Sequence, residues 1–180
     1  MQDAIPVSLE ELHSTHASVQ ALAEANAFRT VPTNYYKLQG TKYDASRNAR
    51  TNRLTLNCKA DVYKEDKRVG NVGFFISSEI GRTSAGKLDR EFRLYNQLCR
   101  VLFPEYKTDT EIAQATVAQV MDRFLAYPVG GYVTETFSSE PNALDGKKTY
   151  VDAKTEAEAK QYRELGWKAA NYVQSLGKLK

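Results

Sequence analysis

Between Arg53 and Tyr63 the chain alternates without a break. Leu54, Leu56, Cys58, Ala60 and Val62 fall on one side, and Arg53, Thr55, Asn57, Lys59, Asp61 and Tyr63 on the other. A period of two over that length describes a β-strand, whose successive side chains point to opposite faces. One face is apolar and asks to be buried. The other is polar and mostly basic, and belongs in water.

The flanking segments read as partners for this strand. Lys64 to Arg68 is a charged hairpin turn, and Val69 to Ser78 follows as a strand with Val72, Phe74 and Ile76 together and Phe75 opposite them. Upstream, Val31 to Gln39 has Pro32 near its start and then aromatic and branched residues, the composition of an edge-tolerant strand. Alternation places Tyr36 and Leu38 on one face and Tyr35 and Lys37 on the other. Gly40 to Arg53 is turn-rich, carries Lys42, Arg47, Arg50 and Arg53 around Tyr43, and lacks apolar periodicity. It reads as a long loop, and long ordered loops in small domains usually carry function.

After Ser78 the period changes. Asp89 is a candidate N-cap, and Phe92, Tyr95, Cys99 and Leu102 recur at helical spacing up to Pro104. Thr108-x-x-Glu111 is a capping box that opens a second helix, expected to run to just before Pro128. Gly130 to Glu140 is a fourth strand, Lys147 to Val151 a short fifth. Thr155-x-x-Glu158 starts a C-terminal helix with Tyr162, Leu165, Ala169, Tyr172, Val173 and Leu176 inward, Gly177 as its C′ residue and Gly166 as a point of kinking. At the other end Ser8-x-x-Glu11 caps a helix from about Leu9 to Ala25. His13 and His16 lie one turn apart on it without a third ligand nearby, so they read as exposed helix residues.

Five strands in the order three, two helices, two do not form alternating βαβ units. They match an α+β protein with a five-stranded OB-like Greek-key β-barrel, two helices between strands 3 and 4, and additional N- and C-terminal helices. The expected organisation is an N-terminal helical arm over 1–30, an OB-fold nucleic-acid-binding domain over 31–153 and a C-terminal helix over 154–180. No apolar run approaches the ~20 residues of a membrane span, and the N-terminus lacks the basic start and apolar run of a secretory leader. Cys58 and Cys99 sit inside apolar patterns and read as buried free thiols, which suits a cytoplasmic protein.

Charge is unevenly placed. The formal net charge is +3, yet residues 37–100 alone carry fourteen Lys/Arg against seven acids, while the flanks are near neutral or acidic. A basic middle is a footprint for a phosphate backbone, or a solvated surface with no partner. Within it the loop Gly81–Lys87 spells G-x-x-x-x-G-K between a strand and a helix, as a phosphate-cradling loop does. Leu88, however, stands where a Ser or Thr hydroxyl must hold magnesium, and no later strand ends in a convincing second acid. Thiol or histidine chemistry has no supporting constellation either, so no catalytic residue, cofactor or metal is expected.

Binding of single-stranded nucleic acid has positive support, because it needs a cationic groove and aromatic faces on which bases stack. Tyr35, Tyr43, Tyr63 and Phe75 are interleaved with Lys37, Lys42, Arg47, Arg50, Arg53, Lys59 and Lys87. The same aromatics also fit as strand side chains packed against cross-strand neighbours. The run Arg68-x-Gly70-x-x-Gly73-Phe74-Phe75, then Gly86-Lys87-Leu88-Asp89, then Leu94-x-x-Gln97-Leu98-x-x-x-Leu102, resembles bacteriophage single-stranded DNA-binding proteins of the OB-fold type. Ala126-Tyr127-Pro128 followed by Tyr132-Val133-Thr134-Glu135-Thr136-Phe137 resembles that family's fourth strand, so the likeness covers residues 30–140. It implies single-stranded DNA binding in phage replication or recombination, in the host cytoplasm, without catalysis or cofactor. It also implies that Gly86-Lys87-Leu88-Asp89 is a structural turn. Many single-strand binders recruit enzymes through an acidic tail, whereas Leu176 to Lys180 is basic. The C-terminal helix is therefore expected to serve subunit contacts or to dock on the barrel.

The expected partners are single-stranded DNA and, as open alternatives, replication or recombination proteins and a second copy of the chain. No membrane partner is expected. The competing functional readings are a protein–protein adaptor with a basic surface for an acidic partner, and a degenerate P-loop nucleotide-binding protein.

Overall fold

The alternating segment becomes the second strand of a six-stranded antiparallel sheet in the computed structural model, which describes Ser8 and residues 30–180. The helix expected over Leu9–Ala25, with His13 and His16, lies outside the described residues. In chain order the elements are β1 (Asn34–Arg47), β2 (Leu54–Lys64), β3 (Lys67–Ile76), α1 (Arg90–Leu102), α2 (Asp109–Gln114), α3 (Val117–Ala126), β4 (Val129–Ser138), β5 (Tyr150–Ala153), α4 (Glu156–Glu164) and β6 (Lys168–Gly177).

β4 is the pivot of the sheet. One edge pairs with β6 over Gly130–Ser138, and the other is shared by β1 over Val129–Val133 and by β5 over Glu135–Ser138. β1 then pairs with β2, and β2 with β3, every ladder being antiparallel. No ladder joins β3 to β6, so the sheet is not closed into a barrel.

The apolar face of the alternation is buried as its pattern requires. Leu56, Cys58, Ala60 and Val62 of β2 and Val72, Phe74 and Ile76 of β3 lie under Leu94, Leu98 and Leu102 of α1 and Val120, Met121 and Phe124 of α3. Phe74 and Phe124 meet edge to face at 5.9 Å. Cys58 and Cys99 are buried free thiols, and burial pushes Cys58 up to about 12. A smaller cluster of Phe137, Ala153 and Ala159, with Tyr162 and Trp167 against it, fills the space under α4.

Further sequence expectations need correction. The loop expected over Gly40–Arg53 is mostly strand: β1 runs on to Arg47, pairing Lys42–Arg47 with Leu54–Lys59. Its distal half is exposed, apart from half-buried Tyr43, so backbone hydrogen bonds define it and hydrophobic alternation does not. A register shift between Gly40 and Lys42 hides the strand further. Up to Gly40 the even positions face inward, and beyond the bulge Tyr43 and Ala45 do, while Lys42 turns out to water opposite Lys59.

The helix expected from Thr108 to Pro128 is two helices, because Thr116 and Gln119 form a second capping box that restarts it. Three helices therefore stand between β3 and β4, not two.

The C-terminal helix ends at Glu164, and Lys168–Gly177 is a strand of the sheet. Gly166 adopts φ 75°, and the Gly166 and Trp167 amides donate to the Arg163 and Tyr162 carbonyls. This is a Schellman stop, clasped by Trp167 stacked on Tyr162 at 5.2 Å. Among the described residues the sheet accordingly has six strands, one more than the five expected.

Candidate nucleic-acid interface

Cross-strand register decides which side chains share the outer face, because residues directly opposite in a ladder point the same way. Lys37 stands opposite Tyr63, Lys42 opposite Lys59, Lys59 opposite Gly73, and Asn57 opposite Phe75. Tyr35 stands opposite Tyr132 on β4. The structure thus brings Tyr35, Lys37, Lys42, Lys59, Tyr63 and Phe75 onto one outward face. Tyr43 is not among them: it lies opposite Cys58, half-buried against the core, because the bulge turned it inward.

At one end of this face is a cleft of about 680 Å³ between Tyr35, Tyr63, Lys37 and the chain's last residues. Tyr35 lies across Gly130 and Gly177, paired glycines whose missing side chains leave it room, and its hydroxyl donates to the Lys178 carbonyl at 2.7 Å. The Lys180 ammonium sits 4.5 Å from the centre of its ring. Lys37 reaches Asp66 in an ion pair and lies 5.5 Å from the centre of the Tyr63 ring. That pairing holds the Asp66 carboxyl below the usual range.

At the other end Phe75 is 49 % exposed and lines a shallow cleft of about 450 Å³ with Ser46, Asn48, Thr51, Thr55 and the ion-paired Arg53 and Glu91. The turn from Arg47 to Arg53 closes this end. Arg47 bonds the Asn52 carbonyl at 2.6 Å and the Glu79 carboxylate at 3.1 Å. Arg50 is exposed and has no side-chain partner among the described residues.

Arg53, in the wall of this cleft, is held by ion pairs. Its guanidinium bonds Asp89 at 2.5 Å, Glu91 at 3.1 Å and the Glu79 carbonyl, with only 17 % of its side chain exposed. Burial raises the Asp89 carboxyl, but the bonds from Arg53 and the Phe92 amide outweigh it and hold the group below its usual value. Arg53 therefore ties the β1–β2 turn to the start of α1, at the wall of the Phe75 cleft.

The Gly81–Lys87 loop is a small hairpin. Arg82 and Leu88 form an isolated bridge, the Thr83, Gly86 and Asp89 amides donate to carbonyls within the loop, and Arg82 bonds the Gly86 carbonyl at 2.9 Å. A phosphate cradle needs such amides free. Instead the Asp89 carboxylate caps α1 where an anion would sit. Lys87 is exposed on this loop.

No family model, curated protein or solved structure matches the chain.

Tyr132, 41 % exposed beside Tyr35, is the aromatic that sequence reasoning left out. The adjacent Gly130 and Gly131 were its signal, since glycine inside a strand marks a place where another group approaches closely. Among the described residues no His, Cys, Asp and Glu cluster is arranged to hold a metal, and no helix is long and apolar enough to cross a membrane.

Proposed function

We propose that this protein binds single-stranded DNA with little sequence preference, coating or protecting it without catalysing a reaction. The observation that carries the reading is the outer face of β1–β2–β3, where Tyr35, Tyr63 and Phe75 share one surface with Lys37, Lys42 and Lys59. Aromatic rings accept any base by stacking, and lysines follow the backbone, so such a face is sequence-tolerant.

The strand pairings support an OB-type reading of the fold. β1 pairs with both β2 and β4, the helices lie between β3 and β4, and the last strand returns beside β4. In that reading the sheet is a Greek-key barrel left open between β3 and β6, with β5 and α4 as an insertion. The likeness to phage single-strand binders then suggests a role in phage DNA replication or recombination in the host cytoplasm.

Titration of labelled oligo-dT tests this directly. Binding is expected to weaken with salt at a log–log slope of about −0.7 per phosphate contacted. Absence of binding at low salt overturns the proposal. Heparin and oligo-U serve as comparisons: quenching of tyrosine fluorescence by oligo-dT but not by heparin shows stacking, whereas equal responses favour an adaptor for acidic partners.

A further inference from the structure

The seven cations that the sequence nominates do not contribute equally. Lys37 is paired with Asp66, Arg47 with Glu79, and Arg53 with Asp89 and Glu91. Lys42 and Lys59 are different. They stand directly opposite each other on neighbouring strands, both exposed, and neither has an ion-pair partner among the described residues. Like charges directly opposite in a ladder destabilise a sheet. Of the carboxylates nearest in register, Asp61 pairs with Arg68, and Asp44, opposite Asn57 on the next rung of the same face, makes no ion pair among the described residues.

The floor beside them is open. Gly73 is the β3 partner of Lys59, and a side chain there would meet nothing closer than the Cys58 carbonyl at 3.8 Å. The pair therefore borders a position bare of side chain, between the two aromatic clefts. Lys59 is two residues along β2 from Asn57, the partner of Phe75, and four from Tyr63. At strand rise these steps are ~7 Å and ~13 Å, so the aromatic clefts stand ~20 Å apart with the lysines between.

Resting on the reading of this face as a single-strand site, we propose that Lys42 and Lys59 form its phosphate clamp. The ligand is a single strand of about four nucleotides, at the low end of the ~4–16 nucleotide sites of such surfaces. One base stacks at Phe75, another at Tyr63 and Tyr35, and an internal phosphate lies between the two ammonium groups. The like-charge pair, without an ion-pair partner among the described residues, is the cost of an anion site that is complete only when the strand is bound.

The test is the anisotropy of labelled tetrathymidylate, measured across a salt series with wild type, Lys42→Gln, Lys59→Gln and the double variant. Each single variant should reduce the magnitude of the log–log slope by up to ~0.7, and the double by up to ~1.4. A second probe with neutral methylphosphonate linkages in its interior should show the reduced slope already with wild type, and little further change in the variants. Lys147→Gln with Lys148→Gln, both exposed in the connection between β4 and β5, is the control and should leave the slope unchanged. Thermal melting at low salt adds a readout on the free protein: the double variant should melt at or above wild type, because a repulsion has been removed.

A double variant that keeps the full slope on tetrathymidylate overturns the clamp. So does a wild-type slope indifferent to the neutral linkages. Failure of wild type to bind any oligo-dT at low salt would instead overturn the functional reading itself, so the two failures are distinguishable.

Discussion

Arg53 shows how a cation in a candidate binding stretch can also hold the fold together. It lies in a basic segment beside candidate DNA contacts, yet its guanidinium is held by Asp89, Glu91 and the Glu79 carbonyl. Arg53→Ala should lower stability by about 1–3 kcal/mol, because charge-assisted bonds to partly buried carboxylates are lost. The salt slope for oligo-dT should stay at its wild-type value, and urea unfolding with DNA titration reads both. Asp89, held below its ordinary value, stabilises the fold above the unfolded carboxylate range near ~3.9, and that contribution disappears as pH falls through its lower folded value. Asp89→Asn keeps a capping oxygen but loses the ion pair. Its deficit in melting temperature should be largest near neutral pH and should shrink below about pH 4.

At the scale of elements, turns and caps decide where the chain changes its mind. Gly166 ends α4 in a left-handed conformation with nothing within 4 Å of an added Cβ, so Gly166→Ala meets only the backbone penalty. The expected loss is about 1 kcal/mol, seen as a fall of a few degrees in melting temperature. Gly40 presents the opposite case: its φ is ordinary, but an added Cβ would lie 2.5 Å from the Phe124 carbonyl oxygen and 2.7 Å from its ring. Gly40→Ala must push α3 off β1, and about 1–3 kcal/mol of destabilisation is expected by chemical denaturation. The two glycines separate conformational freedom from close approach. A sequence shows the same letter for both.

Across the whole molecule, the two aromatic clefts stand at opposite ends of one face. Tyr63→Ala and Phe75→Ala should each weaken oligo-dT binding by roughly 1–3 kcal/mol, the value of a stacked base. Being ~20 Å apart along β2, the two losses should add to within about 0.5 kcal/mol in the double variant, measured by titration at fixed salt. Strong non-additivity would place both rings in one subsite.

The alternation from Arg53 to Tyr63, the Phe74–Phe75–Ile76 strand, the Asp89 cap and the Thr108 capping box were legible because each is local. Period and capping chemistry are written within about ten residues of chain. The parity of β1 beyond Gly40 was not local: only pairing with β2 creates the bulge that turns Tyr43 inward and Lys42 outward. The helical stripe seen from Tyr162 to Leu176 failed for a related reason. Tyr172 and Val173 fit a helix face and a strand equally well, and β4's free edge, with Gly166 ending α4, selects the strand. By its residues alone the chain determined that one strand face would be apolar and the other cationic and aromatic. Tertiary pairing decided which cations are neutralised and which remain free, because an ion pair depends on distances that close only when β1, β2 and the start of α1 are assembled.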